Sequence, residues 1–288
     1  MRDCDNSSFA KSMERAREVV KKADLVLVGA SNGMDMAEGL NIFRPDRHFM
    51  EAYGDFAEAR GIHSVLEGLA CPWESEEGCW GFLARFAQTE WLDYVPTRAM
   101  QSLQKIVGAR PHFILTCNID GCFVKAGFDE RNVLETEGTI RELVRSRGCS
   151  EERVDAAPVF SKMTAAGGMK VPSDLIPACR HCGSPLVPAL DEGRALHPDP
   201  SFKERAAHLA QLLHEARGKN VLVFELGVGS RNDAIRLPLL EAVCHAEQGT
   251  YLALSLSDPF IPDVLGKRGI GLQGDLADTL SQLTEAVG

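Results

Sequence analysis

The sequence predicts an α/β fold: a Rossmann-like, doubly wound parallel sheet with a smaller helical and zinc-ribbon-like insertion module. The short apolar run at 25–29 has the continuous hydrophobicity of a strand buried on both faces, and VLVFEL at 221–226 is predicted as another strand. Segments with apolar residues at helical spacing alternate with these runs. Such alternation is typical of a parallel sheet whose strands are joined by helices.

Length and charge exclude several classes of protein. The chain has 288 residues, with 31 Lys and Arg against 41 Asp and Glu, so its formal net charge is −10. We expect one large domain over 1–288, although two modest domains also fit this length. The acidic balance argues against a nucleic-acid partner, and no run approaches the roughly 18 apolar residues of a membrane span. Nine cysteines, an odd number, and a polar N-terminus predict a reduced, cytoplasmic setting.

The first elements are a strand, a glycine-rich turn and a helix. The strand at 25–29 is followed by a predicted turn over 29–33 and by a helix from about Met34. Backbone N–H groups in such a turn are suited to a phosphate. The region 43–96 is rich in aromatic residues at helical spacing, and we interpret it as a helical insertion.

The later elements alternate in the same way. Strands are predicted at 112–120 and 132–138, and patterning then fades over 141–196, which we interpret as a degenerate zinc-ribbon-like module. A helical segment leads to the strand at 221–226 and the turn GVGSRN. A helix, a strand at 250–258 and a short strand near GIGLQGD complete the order.

Polar or glycine residues follow four of the predicted strands. Ligands of parallel α/β sheets bind at the carboxyl ends of the strands, so these residues predict a nucleotide-sized site. They are Ser31 and Asn32 after the first strand, Asn118 and Asp120 after the second, Glu137 after the third, and 227–232 after the fourth.

Each motif also has a purely structural interpretation. GVGSRN approximates the dinucleotide fingerprint, with Asn232 at the third glycine position and Asp258 where a ribose-binding acid would lie, but glycine turns after buried strands are common. In TCNID, Asn118 and Asp120 would share one face of a strand and suit a carboxamide and a ribose hydroxyl. A strand-end cap or an Asx turn is the alternative for this pair, and a solvated acid is the alternative for Glu137.

The cysteines of CRHCG leave metal binding open. Cys179 and Cys182 are half of a zinc ribbon, whereas structural zinc normally has four ligands. Cys149 lies thirty residues earlier without a clean partner. A metal-free knuckle is as well supported as bound zinc.

Taken together, the motifs resemble those of the sirtuins over about residues 20–283. VGASNGMDMAEG resembles the first glycine-rich NAD loop of that family, TCNID its TQNID motif, and NVLETEG the strand that carries its catalytic histidine. PACRHCGSPL resembles the second zinc cysteine pair, and FELGVG the GTS segment near the adenine ribose. The chain is most similar to the macrodomain-linked class M branch, through the EAYGDF region, KAGFDERNV and ELGVGSRN.

The chain departs from the family at its chemical centre. The sirtuin catalytic histidine corresponds to Glu137, where the class M branch usually has glutamine, and the glutamine of TQNID corresponds to Cys117. Of the first zinc pair only Cys149 remains, with Arg153 near the place of its partner. Zinc is therefore in doubt, and the available ligands are Cys149, Cys179 and Cys182.

The resemblance implies an NAD-consuming site with NAD as co-substrate. Asn118 would position the nicotinamide ribose or an attacking water, Asp120 would bind the carboxamide or ribose, and Glu137 would be the catalytic group facing C1′. The remaining NAD contacts it implies are Gly29, Ala30, Ser31 and Gly33 at the pyrophosphate, Gly227, Val228 and Gly229 near the adenosine ribose, and Gly274 and Asp275 along the adenine.

The resemblance also implies an activity. Class M proteins are regarded as protein mono-ADP-ribosyltransferases, and the acceptor implied is a lipoyl-carrier protein. A solvated glutamate is a poor replacement for a histidine base, yet it can stabilise positive charge at C1′ or take a proton from an acceptor. We therefore favour ADP-ribosyl transfer. An NAD-dependent deacylase and a non-catalytic NAD or ADP-ribose sensor are the alternatives, and a hydride-transferring dehydrogenase explains least.

Overall fold

A computed structural model describes residues 2–145, 153–190, 200–229 and 232–287. Its strands are β1 (Leu25–Ala30), β2 (His112–Thr116), β3 (Val133–Glu135), β4 (Gly138–Arg145), β5 (Val154–Asp155), β6 (Leu186–Leu190), β7 (Asn220–Leu226), β8 (Gln248–Ser255) and β9 (Gly269–Gln273). Six of them form a sheet in the order β3-β2-β1-β7-β8-β9, in which every pairing is parallel. This order is that of a Rossmann fold, and it confirms the predicted fold class. The other three form an antiparallel sheet, β5-β4-β6.

Helices cover both faces of the six-stranded sheet and fill the long connection between β1 and β2. They are α1 (Arg2–Lys22), α2 (Asn32–Ala37), α3 (Arg47–Arg60), α4 (Val65–Leu69), α5 (Glu76–Phe86), α6 (Arg98–Val107), α7 (Cys122–Lys125), α8 (Ala157–Ala166), α9 (Pro200–Glu215), α10 (Asp233–His245) and α11 (Leu276–Leu283). A π-helical turn, Ala87–Leu92, continues directly from α5. Within the described ranges, no helix is both long and apolar enough to cross a membrane. The division into one domain with insertions at 43–96 and 141–196 stays a prediction.

The central strand β1 has no polar side chain because both faces of the sheet are covered at this strand. In β1, the side chains of Val26 and Val28 belong to the core on the side of α1, α6 and α11. Leu25 and Leu27 belong to the core on the other side, against α10. Successive residues of a strand point to opposite faces, so this double burial explains the continuous apolar run.

A third core is built largely from aromatic rings and lies between α3, α5, α8 and the small antiparallel sheet. The rings of Tyr53 and Phe82 are 5.3 Å apart, and Phe56 meets Phe82 edge-on at the same distance. Such pairs stabilise a fold beyond the area that they bury. The aromatic residues of 43–96 therefore hold α3 and α5, and with them the π-helical turn, in fixed positions.

The strands end at different residues from those predicted. The predicted turn over 29–33 was wrong except at Ser31, because Gly29 and Ala30 pair with both neighbouring strands of β1, and α2 already begins at Asn32 and includes Gly33. β2 ends at Thr116, and the Thr116 hydroxyl then accepts a hydrogen bond from the backbone N–H of Asn118. Asn118 and Asp120 consequently lie in a loop, and strand alternation does not explain their placement. β8 ends at Ser255, three residues before the exposed Asp258.

Candidate active site

A pocket of about 230 Å³ opens beside the loops that follow β1, β2 and β3. Its apolar wall comes mainly from the connection between α2 and α5, with Phe43 and Leu66 among its residues. Its polar wall combines amides, a thiol and carboxyl groups. These polar residues are Asn32, Asp35, Glu90, Cys117, Asn118, Asp120, Glu137 and Asn232. Asn118, Asp120 and Glu137, predicted from separate strand ends, are thus brought together.

The loop after β2 places Asn118 and Asp120 in the pocket wall, where both are buried. The Asn118 side-chain N–H donates to Asp35 Oδ1 at 2.6 Å. Asp120 Oδ1 accepts the backbone N–H of Cys122 at 2.7 Å, which is the hydrogen bond of an Asx turn. Asp120 therefore forms an Asx turn and also lies in the pocket wall.

Asp35 forms a carboxyl pair with Asp120 and was not predicted. Burial, followed by the neighbouring charge of Asp120, raises the pKa of Asp35 well above its usual value. The pKa of Asp120 is also raised by burial, but the hydrogen bond from Cys122 opposes that shift. Asp35 is consequently the member of the pair that keeps a proton, because two carboxylates in contact cannot both ionise without strong repulsion. Asp35 in turn holds the Asn118 amide.

Cys117 connects three loops at the floor of the site. Its thiol lies 3.1 Å from the Ser31 hydroxyl, with which it is hydrogen-bonded, and it accepts the Asn232 side-chain N–H at 3.0 Å. Burial raises the pKa of Cys117, and the charge of Glu137 acts in the same direction. The thiol is therefore kept neutral, and at this position it links the loops.

Glu137 follows β3 by two residues and lines the pocket from its exposed rim. Its charge reaches the Cys117 thiol. An exposed carboxylate is a weak base near neutral pH, but it can act on positive charge that develops beside it. This geometry fits an electrostatic role for Glu137 better than that of a histidine-like base.

Two glycine-containing turns, the first turn of α2 and the turn after β7, contact each other beside the pocket. The backbone N–H of Gly33 donates to the Gly227 carbonyl at 3.2 Å. A Cβ atom at Gly33 would lie 2.5 Å from the Gly227 Cα atom, and Gly227 has a φ of 58°, so neither position accepts a side chain. The Arg236 guanidinium donates to the carbonyls of Val228 and Gly229 and holds the second turn. Both glycines are therefore needed for the close packing of these two turns, which joins the segments that follow the carboxyl ends of β1 and β7, where dinucleotides bind in such folds.

The other predicted NAD contacts lie at different distances from the pocket. Ser31 is buried and bonded to Cys117, whereas Gly29 and Ala30 are enclosed within β1. Gly274 follows β9, and its N–H donates to the Ser255 carbonyl. Asp275 caps α11 by accepting the N–H of Asp278. Neither Gly274 nor Asp275 is among the pocket-lining residues, and their contact with the adenine stays a prediction.

The structure places Cys179 beside a cation. Arg145 Nε donates to the Cys179 sulfur at 2.9 Å, and this hydrogen bond is the main cause that lowers the pKa of Cys179 to about 6. Cys182 is exposed, and Cys149 lies outside the described residues. The described part of the chain contains no group of three or more Cys, His, Asp or Glu residues that could hold a metal. Zinc binding by these cysteines stays a prediction.

Glu90 is the second pocket residue that was not predicted. Its side chain is buried in the π-helical turn and lines the pocket. Oε1 accepts the Tyr53 hydroxyl at 2.8 Å and lies 2.9 Å from Nε2 of His48. Oε2 has no hydrogen-bond partner among the described residues. The available signal was a single acid within the apolar, helically spaced segment FAQTEWL.

Comparisons of sequence identify two relatives. The chain is 23% identical over 274 residues to a protein of Staphylococcus aureus named "Protein ADP-ribosyltransferase", which covers 94% of this chain and 86% of that protein. It is 27% identical over 238 residues to a "Probable bifunctional ADP-ribose hydrolase/ADP-ribosyltransferase" of Fusarium oxysporum f. sp. cubense. That match covers 78% of this chain but only 38% of the longer fungal protein. No family model matches the chain.

Comparisons of structure identify the fold. The chain is similar to a Sir2 homologue crystallised with NAD, with a TM-score of 0.61, 16% identity and coverage of 95% of this chain and 93% of the other. It is also similar to a mutant Sir2 homologue bound to ADP-ribose, with a TM-score of 0.59, 17% identity and coverage of 95% and 96%. The sirtuin resemblance predicted from the motifs is therefore confirmed at the level of the fold.

Proposed function

We propose that this chain, which has the sirtuin fold, is an NAD-dependent protein mono-ADP-ribosyltransferase. The observation that carries the proposal is the convergence of Asn118, Asp120 and Glu137 on one pocket beside two touching glycine turns. Relatives named for ADP-ribosyl transfer support the same activity. NAD supplies the ADP-ribosyl group and the bond between nicotinamide and ribose that is cleaved.

The residues of the site fit NAD. The contact between Gly33 and Gly227 joins the segments that follow the carboxyl ends of β1 and β7, which is where a dinucleotide binds in a parallel sheet of this kind. The pocket wall then offers the amide of Asn118 and the carboxyl of Asp120, which suit a ribose hydroxyl and a carboxamide. The unpaired Oε2 atom of Glu90 adds a buried acceptor at the same wall.

Each polar residue has a distinct task in the proposed reaction. Asn118, oriented by Asp35, positions the nicotinamide ribose or the attacking group. Asp120 binds the carboxamide or the ribose. Glu137 stabilises the positive charge that develops at C1′ when the nicotinamide bond breaks, and it takes the proton of the acceptor side chain.

The exposed position of Glu137 favours transfer over deacylation. A sirtuin deacylase uses a histidine near neutrality to deprotonate a ribose hydroxyl, and an exposed carboxylate does this poorly. Electrostatic stabilisation of C1′ needs only a negative charge beside the reacting centre. A nucleophilic protein side chain could then attack C1′ directly.

The acceptor of ADP-ribose is described in the proposal first as a protein and then, more finely, as one kind of protein. A protein acceptor is supported by the name of one relative, "Protein ADP-ribosyltransferase", whereas the other is named for ADP-ribosyl transfer without an acceptor. A lipoyl-carrier protein is the finer part of the proposal and rests on the class M resemblance. The cytoplasmic setting, predicted from the cysteines, belongs to the proposal as well.

The experiment follows an adenine-labelled NAD molecule in the presence of the purified protein, a lipoyl-carrier protein and an acetyl-lysine peptide. We expect label bound covalently to the carrier, detected by mass spectrometry. Asn118→Ala should abolish nicotinamide release while the circular dichroism spectrum stays unchanged, and Glu137→Ala should lower transfer by about 100-fold. Glu241→Ala, an exposed acid on α10, is the matched control and should retain full activity.

Other outcomes identify the competing functions. Label in O-acetyl-ADP-ribose would make the protein a deacylase. Intact NAD with every acceptor, together with measurable NAD binding, would make it a sensor. Unchanged turnover in Asn118→Ala would remove the proposed site.

A further inference from the structure

Glu90 is an acid whose two oxygens have unequal surroundings. The residue is 2% exposed and lines the pocket. Oε1 has both Tyr53 and His48 as partners, whereas Oε2 is buried without any partner among the described residues. Four buried side-chain nitrogen or oxygen atoms in the described chain are unpaired, and Oε2 is the one that belongs to a pocket-lining residue. Buried polar atoms are normally paired, so this oxygen requires an explanation.

The surrounding structure fixes the Glu90 carboxyl group firmly. Tyr53 is fully enclosed in the aromatic core, and His48 lies on the same helix, α3. The two contacts at Oε1 therefore hold one end of the carboxyl and thereby define the position of Oε2. The backbone around Glu90 is a π-helical turn, an irregularity that is frequent at functional sites.

Glu90 and Asp120 are neighbours in the pocket wall. Cys122 connects them, because its backbone N–H donates to Asp120 Oδ1 and its thiol donates to the Glu90 carbonyl at 3.3 Å. The Glu90 charge is among those that raise the pKa of Asp35 and of Asp120. One end of the pocket therefore holds three acidic side chains, and it repels an anion while attracting a hydrogen-bond donor or a cation.

The two aspartates already have partners, whereas Oε2 of Glu90 has none among the described residues. Asp35 accepts from Asn118 and is hydrogen-bonded to Asp120, which also accepts from Cys122. Oε2 of Glu90 is thus a hydrogen-bond acceptor to which no group of the described residues donates. The ligand group that suits it carries an N–H or O–H donor and is neutral or positive.

The nicotinamide end of NAD has this chemistry. Its ring is positively charged, and its carboxamide carries two N–H bonds. We propose that Glu90 Oε2 accepts one carboxamide N–H while Asp120 accepts the other, so that Glu90 determines specificity for the amide. This assignment rests on the proposed function, since it takes the pocket to be an NAD site.

The test compares two dinucleotides that differ only in this group. In 3-acetylpyridine adenine dinucleotide a methyl ketone replaces the carboxamide, so both N–H donors are missing. We expect calorimetry to show that the wild-type protein binds NAD at least about tenfold more tightly than the analogue. In Glu90→Gln the preference should fall to about threefold or less, with the affinity for the analogue nearly unchanged.

Two further variants keep the test interpretable. Glu90→Met has a similar volume but lacks both oxygens, and it should lose the preference as Glu90→Gln does. Asp93→Asn changes an exposed acid just after the π-helical turn and should keep the wild-type preference. Circular dichroism would establish that each variant is folded.

The outcomes separate this inference from the proposed function. If the wild-type protein binds neither dinucleotide, the NAD site and the role of Glu90 both fail. If NAD binds and both Glu90 variants keep the full preference, the role of Glu90 fails while the NAD site stands. Equal affinity of the wild-type protein for the two dinucleotides would also overturn the role of Glu90, without any variant.

Discussion

Two buried glutamates, Glu38 after α2 and Glu90 in the π-helical turn, are held by hydrogen bonds in different ways. Glu38 accepts four hydrogen bonds, two at each oxygen. The donors are the Tyr94 hydroxyl, the N–H and hydroxyl of Thr97 and the N–H of Met100, at 2.7 to 2.9 Å. Glu90 has two partners at Oε1 and none within the described residues at Oε2.

The difference separates an acid whose hydrogen bonds all serve the fold from a pocket-lining acid that keeps one acceptor unused among the described residues. Glu38 ties the end of α2 to the first turn of α6, and all of its acceptor capacity is used inside the protein. Glu90 uses one carboxyl oxygen for the fold, and the other oxygen of this pocket-lining residue is buried without a partner among the described residues. A fully satisfied buried network stabilises a structure, whereas a partly satisfied one carries a cost that a ligand can relieve.

The largest expected effect is a difference in stability between two variants, in which the same substitution is made at each of the two glutamates. In Glu38→Gln an NH₂ group replaces an oxygen that accepts two hydrogen bonds, so buried donors lose their partners. We expect a loss of about 3 kcal/mol in the free energy of unfolding, measured with urea. In Glu90→Gln the remaining oxygen can still accept at Oε1, and we expect a change within about 1 kcal/mol. Equal losses in the two variants would contradict the comparison.

The second prediction concerns the free-energy cost of burying the acidic side chains that lie near Glu90. The pKa of Asp35 is raised well above its usual value, chiefly by burial, so the folded chain keeps a proton that the unfolded chain releases. Stability therefore falls as the pH rises above about 4 toward the folded-state pKa of Asp35. Asparagine imitates the protonated acid and does not titrate.

Asp35→Asn should accordingly be more stable than the wild type by about 1 kcal/mol at pH 8, and nearly equal at pH 4. Asp129 provides the opposite case, because hydrogen bonds from Arg131 lower its pKa to about 2. Its contribution is present above pH 4 and is lost as the pH falls toward 2, so Asp129→Asn should be slightly less stable at pH 8. Urea titrations of the three proteins at both pH values measure these differences. A wild-type stability that rises between pH 4 and pH 8 as much as that of Asp35→Asn would show that Asp35 is not protonated in the fold.

The sequence predicts the fold and part of the site because their signals are local. The strand β1, which is buried on both faces, appears as a continuous apolar run, and β7 is apolar except for Asn220 and the buried Glu225. Asn118, Asp120 and Glu137 each follow such a run within a few residues, and parallel strands bring their carboxyl ends to one edge. Their convergence could therefore be inferred without knowing how any side chain packs.

The residues that were missed depend on contacts that are distant in the chain. Glu90 is held by Tyr53 and His48, which precede it by 37 and 42 residues. Asp35 accepts a hydrogen bond from the side chain of Asn118, which lies 83 residues later in the sequence. A single aspartate in a short helix gives no indication of this contact. The π-helical turn also changes the direction of Glu90 relative to an α-helix, and hydrophobic periodicity does not report such an irregularity.

The smallest expected effect is on the pKa of His48. It tests whether the hydrogen bond to His48 helps to hold the Glu90 carboxyl group in place, as the comparison requires. The pKa of His48 is raised, first by its hydrogen bond to Glu90, and the charges of Asp46 and Glu51 also raise it. This pair stabilises the fold below pH 6.5, and its contribution is lost as the pH rises through the folded-state pKa of His48. In Glu90→Gln we expect an NMR titration to show the pKa of His48 moving down toward its ordinary value of 6.5, whereas Glu38→Gln should leave it unchanged. If the pKa of His48 stays raised in Glu90→Gln, Asp46 and Glu51 are its main partners. Oε1 of Glu90 would then be held by Tyr53 alone, and the position of the unpaired Oε2 atom would be less well defined than the amide specificity of the pocket requires.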